Sequence, residues 1–235
     1  MLLHNATAPS PCAIRSTLMA PSAEWKTEGE QHAVTTPSRI GRAPATTHGE
    51  LSAIALELFL EHGYEETTVD DIAAAAGIGR RTLFRYFPSK NDLPWGDFDA
   101  LLAMMRAHLS DLRPDLPVME ALREAIIEFN RFPPEQIALH RERMHLLLEV
   151  PALVAHSSLR YRDWRTAVAE YVARRIGGDV NDLEPQAVAW ACLGLCLSAY
   201  QEWLHHDGED LLVLIDRAFR HLEASFESAG EGTAG

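Results

Sequence analysis

Lysine is almost missing from this 235-residue chain: Lys26 and Lys90 are the only two, so its basic side chains are nearly all arginine. Cysteine is scarce as well. Cys12, Cys192 and Cys196 are too few for the disulfide framework of a secreted domain, and the last two stand one helical turn apart in an apolar stretch, where they read as small packing residues in a reducing compartment. No run reaches the roughly 18 uninterrupted apolar residues of a membrane span. The first residues lack the basic start and apolar run of a signal peptide, so the expected location is cytoplasmic. Strand-like alternation and internal repeats are also lacking, which argues against β architectures and solenoids. There is no Gly-x-Ser-x-Gly elbow, no phosphate-cradling glycine loop and no His-x-x-x-His zinc helix. Nothing obliges an enzyme, and no cofactor or resident metal is expected.

What is present is core-forming material. Hydrophobic residues make up 47% of the chain, with 5 Trp, 8 Phe and 5 Tyr, enough for a small module and a larger one. The net charge of −13 at first argues against a nucleic-acid partner. Read locally, however, the acidic excess lies mainly after Pro94, whereas Arg80, Arg81, Arg85 and Lys90 fall within eleven residues.

Residues 1–48, rich in Ala, Thr, Pro and Ser, read as a flexible extension, and Met19 could equally serve as a start. Its Arg39 and Arg42 are spaced to reach a neighbouring groove or to be ordinary linker charges. From Glu50 apolar residues recur every three or four positions (Leu51, Ile54, Ala55, Leu58, Phe59) until Gly63, a first helix. Thr68 can cap a second, short helix, with Asp70 and Asp71 in its first turn and Gly77 at its end. A third helix runs from Arg80 to Pro88. The expected architecture is all-α: a three-helix module at 49–93, a larger helical domain at 94–229 and a tail at 230–235. Six further helices are expected, punctuated by prolines and glycines, at Asp97–Leu112, Val118–Arg131, Glu135–Glu149, Ala152–Ile176, Pro185–His206 and Asp210–Ser228.

At 100° per residue the third helix sets Leu83, Phe84 and Phe87 on one side, and Arg81, Thr82, Arg85 and Tyr86 on the other. A helix fits the DNA major groove, where Arg can grip guanine O6 and N7 in a fork and Thr can meet a thymine methyl, so Arg81 and Thr82 are the candidate base readers. Arg80, Tyr86 and Lys90 would serve phosphates, and Thr68 with the free amides at its helix start would clamp the backbone. Taken alone, such a helix reads first as an ordinary solvated face.

The whole segment, TTVDDIAAAAGIGRRTLFRYFPSKNDL, resembles the helix-turn-helix of TetR-family transcriptional regulators over about 45 residues, Glu50 to Leu93. The resemblance implies a homodimer on double-stranded operator DNA and places Arg80, Arg81, Thr82, Phe84, Tyr86 and Lys90 in the DNA-facing set. Phe84 departs from the family's frequent Tyr and lacks the hydroxyl that would donate to phosphate. Leu93-Pro94-Trp95-Gly96 departs too, and suggests a hinge at Pro94–Gly96 or a kinked start to the fourth helix. RRTLFRYFPSKNDLPWGDFD and RERMHLLLEVPALVAHSSLRYRDWR further resemble TetR-type regulators of mycofactocin clusters and relatives whose larger domain binds acyl-CoA-like ligands.

In the larger domain Met104, Met105, His108, Phe129, Met144, Leu148, Trp164 and Trp190 are candidates to line an effector cavity, or are simply core. His108, Arg141, Arg143 and Arg160 could meet a carboxylate, thioester or phosphate. Dimerisation is expected through the last two helices, with Gly194 and Ser198 allowing close approach and Leu193, Leu197, Leu212, Ile215 and Phe219 supplying apolar area. A rival reading is a ferritin-like di-iron oxidase, since Glu142/His145 and Glu202/His205 both form Glu-x-x-His pairs, with Glu128 and Glu170 as further carboxylates.

Overall fold

The structure, a computed structural model, describes residues 47–231, with side chains described through Ala224. The expected N-terminal extension through Thr46, including Arg39 and Arg42, lies outside the described residues, as does the tail beyond Glu231. Among the described residues there is no strand, and no helix is long and apolar enough to cross a membrane.

Helix α1 (His48–His62) starts at a reciprocal cap: the Glu50 amide donates to Thr47 Oγ1 and the Thr47 amide to Glu50 Oε2. It buries Leu51, Ala55, Leu56 and Phe59. Gly63, at φ 87°, takes the chain out of the helix into a conformation that suits glycine. Helix α2 (Val69–Ala75) repeats the device with Thr68 and Asp71. It ends in a Schellman motif, the Gly77 amide bonding the Ala74 carbonyl and the Ile78 amide that of Ala73, with Gly77 at φ 66°. Helix α3 (Arg80–Tyr86) follows after a two-residue turn, and its buried Leu83, with Phe87 just beyond, closes the core against Phe59 and Ile72.

A 3-10 segment, Lys90–Trp95, then joins this module to the rest. It is capped by Ser89 and Asp92 and buries Leu93, Pro94 and Trp95. Pro94 is tolerated because a 3-10 turn one residue from its end has little use for the missing amide. Gly96, at φ 60° and ψ −139°, redirects the chain into α4 (Phe98–Asp111). The sequence signal at Pro94–Gly96 therefore corresponds to a buried, packed corner.

Helices α5 (Val118–Phe129), α6 (Pro134–Glu149), α7 (Pro151–Ile176), α8 (Leu183–His205) and α9 (Leu211–Glu231) complete the chain. Pro134 and Pro151 sit at the first position of α6 and α7, where the absent amide costs nothing. The long α7 packs along α8, α8 along α9, and α4 along α5 and α7. Helix boundaries fall within three residues of those expected, the α9 backbone continuing to Glu231, two residues into the expected tail.

Candidate nucleic-acid interface and sensor cavity

Burial divides α3 along its length. Leu83 is 1% and Phe87 3% exposed, while Arg81 and Arg85 are exposed and Thr82 and Tyr86 half-buried. Phe84 does not belong to the buried side as the wheel suggested. It is exposed, and the Arg80 guanidinium lies over its ring at 5.5 Å, so the seven-residue helix has a narrower packed seam than three apolar side chains imply. Arg80 also pairs with Asp70 at 2.9 Å; with both side chains more than half exposed, this bond is weak enough to yield to a phosphate. Tyr86 stands edge-on to His48 at the start of α1, 5.1 Å between ring centres, which fixes its ring while leaving one edge open.

Lys90 is held more firmly than expected of a free phosphate ligand. Its ammonium sits 4.1 Å from the Tyr64 ring centre and donates to the Glu65 carbonyl at 3.4 Å. Burial lowers its pKa while Glu65 and Glu66 pull it upward. The same burial pushes the Tyr64 phenol up to about 12, and its hydroxyl donates to Asn91 Oδ1. At Thr68 the hydroxyl donates to Asp71 at 2.6 Å, and the Thr68 amide is taken by the same carboxylate at 2.9 Å. The anion site expected there is thus partly filled by the chain's own Asp71, with the Val69 and Asp70 amides remaining at the helix end.

The larger domain leaves a half-open cavity of about 90 Å³ between α4, α5, α6, α7 and α8. Against the roughly 10–15 Å³ that admits one water, it has room for several. Of the candidate ligand residues it brings together Phe129, Arg143, Met144 and Trp164. Met105 is instead core at 2% exposure, Met104 faces outward at 67%, and Trp190 is 57% exposed with the Arg165 guanidinium 3.5 Å over its ring. His108 and Leu148 also lie off the lining. These misplacements share one cause: apolar residues of one helix face several neighbours, and periodicity does not say which neighbour leaves a gap.

Sequence reasoning missed Trp95, Phe98, Phe132, His140 and Tyr200, which line the cavity. Trp95 was read as part of a hinge or a kinked helix start. Tyr200 donates to Asn130 Oδ1 at 2.6 Å and lies 2.9 Å from His140 Nε2, so the imidazole carries its proton on Nε2 and donates in turn. Burial, reinforced by the Arg143 charge, drops the His140 pKa to about 3 and keeps the ring neutral.

Arg160, offered as a possible ligand contact, is committed elsewhere. It donates to Asp92 at 2.9 Å, as His156 does from one turn earlier on α7, while Ser89 closes the other side of the carboxylate. Burial alone would raise the Asp92 pKa, but hydrogen bonds from His156 and Ser89 and the charges of His156 and Arg160 hold it below the usual carboxylate value. This cluster ties α7 to the exit of the three-helix module.

The di-iron arrangement is not formed. Glu170 is paired with Arg106 at 2.8 Å, Glu128 with Arg131 at 2.8 Å, and His145 with Glu149 at 3.0 Å. Among the described residues no three His, Cys, Asp or Glu side chains come together as a metal cluster. Cys192 and Cys196 are buried, and burial pushes the Cys192 thiol up to about 12 and raises that of Cys196. Both are poor nucleophiles in this state.

A helix-turn-helix carried on a larger helical domain is the architecture of a bacterial transcriptional regulator. The chain belongs to the TetR family: residues 52–93 match the family described as bacterial regulatory proteins, tetR family, and residues 116–227 match the MftR C-terminal domain. It is 46% identical over 182 residues to the mycofactocin biosynthesis transcriptional regulator MftR of Mycobacterium tuberculosis, an alignment that covers 77% of this chain and 92% of the relative. It is 30% identical to the HTH-type transcriptional regulator TcmR of Streptomyces glaucescens, over 88% of this chain and 92% of that one. Two solved structures share the fold: the fatty acid degradation regulator FadR of Bacillus halodurans (TM-score 0.53, 19% identity, 76% of this chain and 95% of that one) and FadR of Bacillus subtilis in complex with stearoyl-CoA (TM-score 0.51, 17%, 72% and 94%).

Proposed function

We propose that this regulator is a cytoplasmic repressor that binds a palindromic operator as a homodimer and leaves it when a small hydrophobic effector occupies the larger domain, a fatty acyl-CoA being the first candidate class. The observation that carries the DNA half is the division of α3. Leu83 and Phe87 anchor one flank, and Arg81, Arg85 and the edge of Thr82 stand out on the other. Arg81 and Thr82 read bases, while Arg80, Arg85, Tyr86, Lys90 and Thr68 hold phosphates, Arg80 by exchanging Asp70 for the backbone. The effector half rests on the cavity, on the likeness to the MftR C-terminal domain, and on a fold shared with a FadR that was solved with stearoyl-CoA.

Dimerisation runs along α8 and α9, but not through all the apolar residues first expected: Leu197 and Leu212 are half-buried and remain available. Leu193, Ile215 and Phe219 are buried within the chain, Ile215 and Phe219 completely. The surface left for a partner is the exposed line Ala187, Ala191, Gly194 and Ser198 on α8, with Val213 on α9. A ligand that moves α7 pulls on Asp92 through His156 and Arg160, and so changes how two recognition helices fit successive major grooves. The test is a mobility-shift assay of the purified dimer on the DNA upstream of its own gene, with and without acyl thioesters. A specific, saturable shift reversed by thioester supports the reading; binding no tighter than to random DNA of equal length overturns it.

A further inference from the structure

The sensor cavity has a neighbour. A groove of about 300 Å³ lies against it where the α5–α6 link meets the α8–α9 link, and the two hollows share Asn130, Phe132 and His140 in their linings. These three side chains are the partition between them.

The partition has a fixed half and a loose half. His140, on α6, is 6% exposed, and its Nε2 lies 2.9 Å from the Tyr200 hydroxyl. That hydroxyl donates on to Asn130, whose own amide nitrogen donates to the Ile126 carbonyl at 2.7 Å. Phe132 has no polar tie and belongs to neither helix. It stands half-buried between Asn130, the C-cap of α5, and Pro134, the first residue of α6. Its ring stacks on His140, with centroids 4.0 Å and planes 27° apart. Such a ring pair adds about two- to twelvefold to an equilibrium beyond the area it buries, and rotation about its own side-chain bonds moves Phe132 without breaking a helix hydrogen bond. Nδ1 of His140 is a buried acceptor that nothing satisfies, so this wall is not finished as an ordinary core is.

Size shows what the partition can do. At the roughly 10–15 Å³ that one water needs, the cavity of about 90 Å³ holds about six to nine waters, or a similar number of methylenes. An octanoyl chain fits, and a hexadecanoyl chain overflows. Beyond Phe132 the groove offers apolar walls in Ile137, Trp203 and Leu211, with Glu209 and Asp210 at its rim and the nearby Arg141 already bonded to Asp207. Apolar walls with an acidic rim suit the methyl end of a chain and repel the phosphates of a nucleotide head group.

We propose that Phe132 is a gate on acyl-chain length: a long chain fills the sensor cavity first, turns Phe132 off His140 and lays its methyl end in the groove among Ile137, Trp203 and Leu211, its head group staying out of the groove. This rests on the cavity being the acyl-effector site proposed above, and it adds which end of the ligand goes where and which residue sets the length. Burying one methylene brings about fourfold in affinity, so two of them in the groove offset the lost stack.

The experiment titrates the full-length protein with octanoyl-CoA and hexadecanoyl-CoA by calorimetry and follows release of operator DNA in parallel. Ile137 lines the groove and not the cavity, and is 45% exposed, so Ile137→Trp fills the groove without entering the cavity; an unchanged melting temperature checks that the fold survives. This variant is expected to weaken hexadecanoyl-CoA about tenfold or more and to leave octanoyl-CoA within about twofold. Phe132→Ala, which removes the stack, is expected to raise the ratio of hexadecanoyl to octanoyl affinity by about two- to twelvefold. An Ile137→Trp protein that binds both chains as the parent does overturns the gate while the cavity stands as the acyl site, and so does one that loses both alike. A ratio unmoved by Phe132→Ala overturns it too. No binding and no DNA release with either thioester, in any of the three proteins, removes the acyl-effector reading together with the gate.

Discussion

The three-helix module and the domain that follows it treat buried polar groups differently. In the module, Thr67 donates to the Leu58 and Gly63 carbonyls, α1 and α2 start at reciprocal caps and end at Gly63 and Gly77, the arginines of α3 point to solvent, and Ser52 Oγ alone is a buried side-chain polar atom without a partner among the described residues. In the larger domain a cavity remains, and Trp95, His140 and Arg143 leave polar atoms facing it unpaired. The contrast fits the two tasks proposed above. A surface that must hold a register on DNA gains from a filled core, whereas a surface that must respond to a small molecule keeps part of its interior incomplete until that molecule arrives. Asp92 lies where the two meet, and the His156 and Arg160 bonds make it the shortest polar link between them.

The sharpest test of this contrast compares two truncations. Leu83→Ala behind the reading helix removes a side chain that is 1% exposed and packed on all sides, so it should cost about 2–5 kcal/mol of unfolding free energy. Met144→Ala, which merely enlarges an existing cavity, should fall at or below the low end of that range; equal losses in urea melts would deny that the two cores differ. Next in size is Asp92→Asn, which keeps the shape but weakens hydrogen bonds to charged donors, worth about 1.5–3 kcal/mol. Because the native Asp92 pKa is depressed, its contribution is complete above the unfolded value of about 3.9 and is lost as pH falls through the lower native value. The wild type should therefore lose stability below about pH 4 more steeply than Asp92→Asn. Coincident acid profiles would show that the cluster does not stabilise the junction. Arg81→Ala should cost about 1–3 kcal/mol of operator affinity per lost base contact while leaving random DNA nearly unaffected; Lys90→Ala should weaken both alike.

The all-α class, the element order and the three-helix module were legible because each rests on local signals. Thr68, Gly77 and the prolines at 134 and 151 act on their own backbone, and the structure places each at the helix end its chemistry favours. The cavity was not legible. Met104 and Met105 are neighbours in sequence, one exposed and the other core, and neither touches the chamber, because lining is decided by helices that meet far apart in the chain. Trp95 escaped notice for a different reason. Its 3-10 corner has neither the helical nor the strand period, so a buried aromatic was read as part of a hinge or a kinked helix start. Phe84, Ile215 and Phe219 show the converse failure, in which apolar periodicity gives a face but not what covers it.

Two glycine replacements separate the junction from the subunit surface at the small end of the scale. Gly96 holds φ 60° and ψ −139°, a region nearly closed to other residues, and a Cβ there would lie 3.5 Å from Ser52 Oγ. Gly96→Ala should cost about 1–3 kcal/mol through backbone strain, whatever the effector does, so an altered ligand response in that variant needs a stability control before it speaks for a hinge. Gly194 is the opposite case. It sits inside α8 at ordinary helical dihedrals, and a Cβ there meets nothing within 4 Å of this chain. In a lone subunit Gly194→Ala should therefore raise stability by about 0.5–1 kcal/mol, the helix-propensity gain. Where the Ala187, Ala191, Gly194, Ser198 line packs against a second copy, the same methyl enters the space that close backbone approach requires. The variant should then melt higher at concentrations where the chain is dilute and monomeric, yet dissociate more readily in sedimentation-velocity runs across a concentration series. A variant that is more stable and equally dimeric would move the subunit contact off this line, toward Val213 and the outer face of α9.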